Sequence, residues 1–271
     1  MFDPFKDFAT AGYLRNVNKD KDPSVVKRME HNIFRANIDD ALNNLAAEEY
    51  LTYQIFLDTH RILFQDYYPW AGKDRTITLP NKSAVKGEVE FSFPFECRRA
   101  VDAGLHLGQN IDKMKKNPGE VMGLFAYGHP FLDGNGRTML LIHMELCYRA
   151  GFSIAWEKTN KADYLTALTS EINEPGIGKL DQYLNHFKLP QLHRGKWGAG
   201  VLNIKGLDSV DDGNQIEGDT SDPLIMAKHR KYEDSRGYSY QSLMAEVGCN
   251  VCNCITCVCA PPKRTSSLKP R

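Results

Sequence analysis

The sequence has 271 residues, and its 34 Lys and Arg balance its 34 Asp and Glu. A net charge of zero excludes a global field that would draw the protein to nucleic acid or to an anionic membrane, so neither is expected as a partner. No stretch approaches the roughly 18 apolar residues of a membrane span, and the N-terminus lacks the charged head and apolar run of a secretion signal. We therefore predict a cytoplasmic protein with one sizeable hydrophobic core.

The composition changes near residue 190. Apolar residues are well distributed before that point, whereas Gly, Asp, Ser and Lys predominate after it without sustained periodicity. We predict an N-terminal segment over 1–29, a folded domain over 30–190, and a linker with a poorly ordered, Cys-rich C-terminal tail over 191–271. Residues 213–222 in particular are typical of a linker.

The first predicted elements are two helices. Asp22 followed by Pro23 supplies a capping residue and a helix-compatible proline, so a helix is predicted from there to about Leu45. Apolar residues recur near helical spacing between 51 and 62, which predicts a second helix, and the run from Pro69 to Gly72 ends it.

β-branched and aromatic residues replace the helical pattern between Arg75 and Phe93. Two such runs, 76–79 and 89–93, flank Pro80-Asn81-Lys82-Ser83. The pattern predicts a β-hairpin with its turn at 80–83, and it is the one strong strand signal in the sequence.

Helical spacing returns after the hairpin. We predict helices over 95–115 and 118–128, the second ending before His129 because Pro130 disfavours helical geometry in the residue that precedes it. The segment 137–148 is apolar on nearly every side, so its helix must lie at the centre of the domain. Two further helices are predicted over 160–172 and 179–187. The fold class is therefore all-α, a helical bundle around one central buried helix with a single β-hairpin.

The loop before that buried helix carries the chemistry. It reads His129-Pro-Phe-Leu-Asp133-Gly-Asn-Gly-Arg137. Gly134 and Gly136 let the backbone turn tightly and approach a ligand closely. The amides of 134–137 then lie at a helix N-terminus, where free N–H groups and the helix dipole favour phosphate.

The charged side chains of the loop suit the same ligand. Arg137 offers a planar guanidinium that matches phosphate oxygens, and Asp133 offers a hard carboxylate for the Mg²⁺ that accompanies a triphosphate. His129 can take a proton from a hydroxyl at neutral pH. Each residue alone is explained as an ordinary loop, turn or cap residue, but their joint occurrence indicates attack of an alcohol on phosphorus.

This loop resembles the signature of Fic-domain proteins, and the resemblance extends over residues 30–190, including Tyr68-Pro-Trp-Ala-Gly72. Members of that family are all-helical and mostly transfer AMP from Mg-ATP to a Ser, Thr or Tyr hydroxyl of a target protein. The resemblance implies His129 as the general base and Asp133 as the Mg²⁺ ligand, with Phe131 anchoring the loop. It implies a phosphate cradle made of Gly134, Asn135, Gly136 and Arg137.

The resemblance also implies contacts outside the loop. Tyr164 falls where the family contacts adenosine, and the hairpin resembles a flap that binds an extended target segment by strand addition. Residues 79–82 would then lie over nucleotide and target, with Lys82 as a nucleotide-binding residue. The implied partners are a target protein docked along 75–93 and, by analogy with toxins of the family, a small antitoxin. Export into a host cell as an effector is an alternative to a cytoplasmic location.

Leu140 departs from the family's pattern. Many members carry a second arginine there, which holds the γ-phosphate and pairs with an inhibitory glutamate. The absence of this arginine strengthens the alternative that UTP, GTP or a phosphocholine conjugate replaces ATP as the donor. A second alternative is that the protein is not an enzyme but a catalytically silent binding protein. Residues 242–246 nearly match the family's inhibitory segment. Because Val247 follows them, they do not support an inhibitory switch.

Five of the seven cysteines lie between Cys249 and Cys259. The cluster has enough thiolates for Zn²⁺ or another soft metal, although its spacing is denser than that of an ordinary zinc finger. The alternative is an unstructured, oxidation-prone terminus. Only Cys97 and Cys147 remain in the domain, which indicates a reducing compartment.

Overall fold

Helices make up most of the structure, a computed structural model that describes residues 2–208 and 213–237. The helices are α1 (Phe8–Ala11), α2 (Pro23–Ala47), α3 (Tyr53–Phe64), α4 (Arg75–Thr78), α5 (Cys97–Gln109), α6 (Ile111–Lys116), α7 (Pro118–Gly128), α8 (Asn135–Arg149), α9 (Lys161–Asn173), α10 (Lys179–Asn185), α11 (Trp197–Leu202) and α12 (Pro223–Arg236). The strands are β1 (Lys82–Lys86), β2 (Val89–Glu90), β3 (Phe152–Ile154), β4 (Lys188–Pro190) and β5 (Asn214–Asp219). The predicted all-α class with a small hairpin is confirmed.

The helix starts follow local capping chemistry. Asp22 accepts a hydrogen bond from the backbone N–H of Ser24 at the start of α2, and Pro23 occupies the first turn. Asn160 accepts from the amides of Ala162 and Asp163 at the start of α9. These starts are where the sequence predicts them, because a cap depends on residues that are neighbours in the chain.

Helix α8 lies at the centre of the domain, as predicted. It contacts α2, α3, α5, α6 and α7, and it also packs against β3. Most of its side chains are buried, including Thr138, His143 and Glu145. Glu145 is tolerated there because Arg149 and Arg194 both bind its carboxylate. The loop that precedes α8 is therefore attached to a helix that is buried at the centre of the domain.

The hairpin exists, but the predicted position of its first strand is wrong. Residues 75–78 form the short helix α4, because the side chain of Asp74 accepts from the backbone N–H of Thr76 and caps it. The first strand is β1 instead, and the turn lies at Gly87, where φ is +59°. Local capping thus overrides the β-propensity of Thr76-Ile-Thr.

The prediction of a linker over 213–222 is also wrong. Strand β5 pairs antiparallel with β1, which gives a three-stranded sheet in the order β2-β1-β5. Helix α12 follows at once, with Asp222 as its cap and Pro223 in its first turn. Its side chains His229 and Arg236 are buried against the helical domain.

Other parts of the chain bear on the remaining predictions. Strands β3 and β4 form a second, two-stranded antiparallel sheet that the sequence pattern does not predict. Cys97 and Cys147 are buried and form no disulfide. The Cys249–Cys259 cluster lies outside the described residues, and the division at residue 190 stays a prediction. No helix within 2–208 or 213–237 is long and apolar enough to cross a membrane.

Candidate active site

The loop between α7 and α8 is held open by backbone conformation and by one side chain. His129 ends α7 in the left-handed region, with φ 39° and ψ 56°. Asn135 binds both backbone groups of Phe131, donating to its carbonyl at 2.7 Å and accepting from its N–H at 2.9 Å. The ring of Phe131 is fully buried and stacks on His60 with centroids 3.7 Å apart. Phe131 thus anchors the loop. The amide side chain of Asn135 forms hydrogen bonds within the loop itself.

The two loop glycines differ in their surroundings. Gly134 has φ +76°, and a Cβ there would lie 2.6 Å from a ring carbon of Phe64 and 3.1 Å from Nε2 of His60. A Cβ at Gly136 would meet no heavy atom within 4 Å. Gly134 is therefore required by the fold, whereas Gly136 keeps the start of α8 open.

This contrast predicts a larger loss of stability for one alanine substitution than for the other. Gly134→Ala should lower the free energy of unfolding by about 1–3 kcal/mol, because it combines a strained φ with a close contact. Gly136→Ala should stay within about 1 kcal/mol of the wild-type value, since the space is empty and alanine favours a helix. Urea denaturation measures both. Equal losses in the two variants would contradict the stated difference.

One cavity of about 680 Å³ gathers most of the predicted site residues. The predicted residues that line it are His129, Asp133, Gly134, Asn135, Gly136, Arg137 and Tyr164. Lys82 does not line this cavity. Its ammonium lies 3.0 Å from the carboxylate of Asp219, and Lys86, at the other end of β1, reaches the cavity instead.

His129 has the environment of a neutral base. Its ring stacks on Phe91 with centroids 3.6 Å apart, and its buried Nε2 has no hydrogen-bond partner among the described residues. Burial lowers the pKa of His129 well below its ordinary value, and the positive charges of Arg75 and Lys86 lower it further. The imidazole is therefore unprotonated at neutral pH.

Helix α2 brings two charged residues to the loop. Glu30 is fully buried and directly contacts the guanidinium of Arg137, and Lys27 directly contacts the carboxylate of Asp133. The ammonium of Lys27 also lies 3.6 Å from Glu30, which accepts a 2.7 Å hydrogen bond from the hydroxyl of Tyr68. Two cations and two carboxylates thus neutralise one another beside the cavity.

Comparison with known proteins finds a family match that includes the loop between α7 and α8. Residues 50–147 match the family model described as Fic/DOC family. Residues 50–147 are therefore a Fic/DOC domain. It is 30% identical over 112 residues to "Protein adenylyltransferase VbhT" of Bartonella schoenbuchensis, an alignment that covers 40% of this chain and 23% of VbhT. It is 29% identical over 164 residues to "Probable protein adenylyltransferase y4lH" of Sinorhizobium fredii, covering 57% of this chain and 81% of y4lH.

Solved structures share the fold of this Fic domain. The Fic domain of Bep8 from Bartonella sp. 1-1C aligns with a TM-score of 0.53 at 13% identity, covering 65% of this chain and 90% of that chain. An N-terminal Fic domain from Bartonella quintana with bound ADP aligns with a TM-score of 0.51 at 18% identity, covering 73% and 96%. At these identities the likeness concerns the fold alone.

The Fic loop offers a single carboxylate to a cation. Within 2–208 and 213–237 there is no cluster of three or more acidic, histidine or cysteine side chains that could hold a metal. Asp133 fits Mg²⁺ nonetheless, because this ion usually takes one or two carboxylates and completes its shell with phosphate oxygens and water. Any such ion has to compete with Lys27 for the carboxylate.

The other end of the cavity is mostly apolar. Tyr164 and Trp156 meet edge to face there, with centroids 5.6 Å apart. The indole N–H of Trp156 is buried and has no hydrogen-bond partner in the described part of the chain. Residues 204–208 close this end, and Lys161 donates to the carbonyl of Gly206 at 3.1 Å.

Sequence reasoning missed several residues of the Fic site. Lys27 and Glu30 lie on the same helical face as Val26 and Phe34, so their charges at core positions are a signal that could have found them. Residues 204–208 lie in the predicted tail, and no pattern there indicates a role. Leu140 lines the cavity as a buried apolar side chain, where the family's second arginine would lie.

Proposed function

We propose that this Fic domain is a protein adenylyltransferase that moves AMP from ATP onto a Ser, Thr or Tyr hydroxyl of another protein. One observation carries the proposal: the unprotonated imidazole of His129 and the N-terminus of α8 line the same cavity. Two relatives carry adenylyltransferase in their names, and a structure of the same fold is described with ADP. Both support a nucleotide in this cavity.

The proposed reaction uses both ends of the cavity. The triphosphate lies against Arg137 and the amides of 134–137, which stabilise anionic oxygens, and the nucleoside extends toward Trp156 and Tyr164. His129 takes the proton of the target hydroxyl while the hydroxyl oxygen forms a bond to the α-phosphorus. The bond from the α-phosphorus to the bridging oxygen breaks, and pyrophosphate leaves with the bonding electrons.

Asp133 and Lys27 change partners in this proposal. Mg²⁺ bound with the phosphates would neutralise part of their charge, and Asp133 is the protein group placed to hold it. Lys27 would then lose its contact with Asp133 while keeping Glu30 at 3.6 Å, and its ammonium could contact a phosphate oxygen. It would supply positive charge in a cavity where Leu140 offers only apolar surface. Lys27 is thereby proposed as a phosphate-binding residue.

Replacing Lys27 with Met tests this role. We expect the affinity for Mg-ATP to fall by about 10- to 100-fold, the usual loss for one charge-assisted hydrogen bond. Isothermal titration calorimetry measures the change, and Lys179→Met, at an exposed position on α10, is the matched control. An affinity equal to that of the control would remove Lys27 from the phosphate site.

The pH dependence of transfer follows from the lowered pKa of His129. Because the neutral imidazole is the active form, the rate should persist as the pH falls through 6.5 and decline only near the depressed pKa. Initial rates between pH 5 and 8, with nucleotide affinity measured over the same range, test this. An acid limb centred at pH 6.5 or above would contradict it.

The donor is tested by competition. Labelling of target proteins from α-³²P-ATP is followed while unlabelled ATP, UTP, GTP or a nucleotide-phosphocholine conjugate is added. We expect ATP to compete best. Stronger competition by another nucleotide would keep the reaction class and change the donor, which is the alternative that Leu140 raises.

A further inference from the structure

The outer edge of the flap is already occupied. The flap is the hairpin of β1 and β2, and β5 runs antiparallel along the outer side of β1. Five residue pairs connect the two strands, from Lys82 with Asp219 to Lys86 with Asn214. The backbone N–H of Thr220 continues the contact, donating to the carbonyl of Asn81 at 2.9 Å. An extended segment of the chain therefore fills the edge that strand addition would use.

The occupying strand also reaches the catalytic loop. Asn214, at the start of β5, donates through its side chain to the carbonyl of Leu132 at 3.2 Å. Gly213 and Asn214 both line the cavity that contains His129. The strand thus runs from the mouth of the active site along the whole of β1, which is the path an acceptor segment would follow.

The composition of β5 shows what holds it there. Its sequence is Asn-Gln-Ile-Glu-Gly-Asp, and its single large apolar side chain, Ile216, is 37% exposed. Side chains of this kind gain little by burial, so the pairing with β1 depends on main-chain hydrogen bonds and on two polar side-chain contacts, Lys82 with Asp219 and Ser83 with Glu217. Main-chain bonds are available to any extended segment, and another strand can replace β5.

Helix α12 keeps β5 close to the flap. His229 stacks on Phe93 with centroids 3.8 Å apart, and buried Arg236 donates to the carbonyl of Ile172 at 2.7 Å. Lys228 contacts Glu217 of β5 and lies 2.9 Å from Glu90 of β2. Because α12 is docked through its own contacts, release of β5 from β1 does not require release of the helix.

We propose that β5 is a built-in competitor for the flap edge, which an extended segment of the target protein must displace before its hydroxyl reaches His129. The proposal rests on the proposed transferase function and adds a restraint on target access. The expected partner is an extended segment that carries a Ser, Thr or Tyr and pairs with β1 through its main chain.

The test compares Gln215→Pro/Ile216→Pro with the matched Gln215→Ala/Ile216→Ala variant. Two successive prolines remove at least one ladder N–H from β5, whereas the alanines keep the backbone. We expect target labelling from α-³²P-ATP to rise by about tenfold in the proline variant alone, with Mg-ATP affinity unchanged. A synthetic peptide of residues 213–220 should suppress the gain.

The outcomes separate this proposal from the proposed function. Labelling that is equal in all three proteins overturns the role of β5 and leaves the transferase intact. No labelling in any protein overturns the transferase, and the restraint with it.

Should the proline variant fail to fold, Asp219→Lys gives a second test by placing two cations opposite each other on β5 and β1. Its labelling should rise, and the swap Lys82→Asp/Asp219→Lys should reverse the rise; equal rates overturn the proposal.

Discussion

Replacing His129 with Ala is expected to lower AMP transfer by about 10²- to 10⁴-fold, the usual contribution of a general base. Nucleotide affinity should change by less than about tenfold, because the phosphates are held by α8 and Arg137 in the proposed complex. His129→Asn is the second variant, since asparagine tolerates the left-handed backbone of residue 129 and cannot act as a base. Initial rates of target labelling and calorimetry with Mg-ATP measure the two quantities.

The control for this prediction is His186→Ala, which removes an exposed imidazole from the end of α10. It should label targets at the wild-type rate. If His129→Asn retained more than about a tenth of that rate, His129 could not be the base, since the smallest expected loss is about a hundredfold.

Arg137→Ala is expected to lower the free energy of unfolding by about 3–5 kcal/mol. The substitution leaves the carboxylate of Glu30 fully buried without its guanidinium, and removal of one partner from a buried ion pair has a cost of this size. Replacing both charges, as in Glu30→Gln/Arg137→Met, should recover a large part of the loss, because no buried charge is then left alone. Urea denaturation measures the three proteins.

An exposed ion pair provides the comparison for Arg137. The guanidinium of Arg61 lies 3.1 Å from Asp58 and its side chain is 48% exposed, so Arg61→Ala should cost less than about 1 kcal/mol. A loss for Arg137→Ala as small as that of Arg61→Ala would contradict a buried pair with Glu30. Arg137 would then serve the ligand and not the fold.

Elements set by neighbouring residues could be predicted from the sequence. The cap and proline at Asp22 and Pro23 fix the start of α2, and the apolar run over 137–148 fixes the burial of α8. The loop over 129–137 is short enough that a candidate chemistry can be predicted from its residue types alone. His129, Asp133 and Tyr164 line the same cavity, and the roles that the resemblance implies for them stay predictions.

Features that depend on distant parts of the chain could not be predicted. The pairing of Glu30 with Arg137 and of β5 with β1 joins residues more than a hundred positions apart, and neither leaves a periodic pattern. The wrong position of the flap's first strand has two causes, the local cap that Asp74 gives to α4 and contacts from distant residues. Arg75 is buried and donates to the carbonyls of His129 and Ser92, which fixes α4 from outside its own sequence.

The most direct test of the proposed function is parallel incubation of the purified protein and a bacterial lysate with Mg²⁺ and either α-³²P-ATP or γ-³²P-ATP. Transfer of AMP predicts that a target protein is labelled from the α-labelled nucleotide only, and that the label disappears with His129→Asn. Label from γ-³²P-ATP that depends on His129, or no label from α-³²P-ATP when a known adenylyltransferase labels its own target in the same lysate, would contradict it.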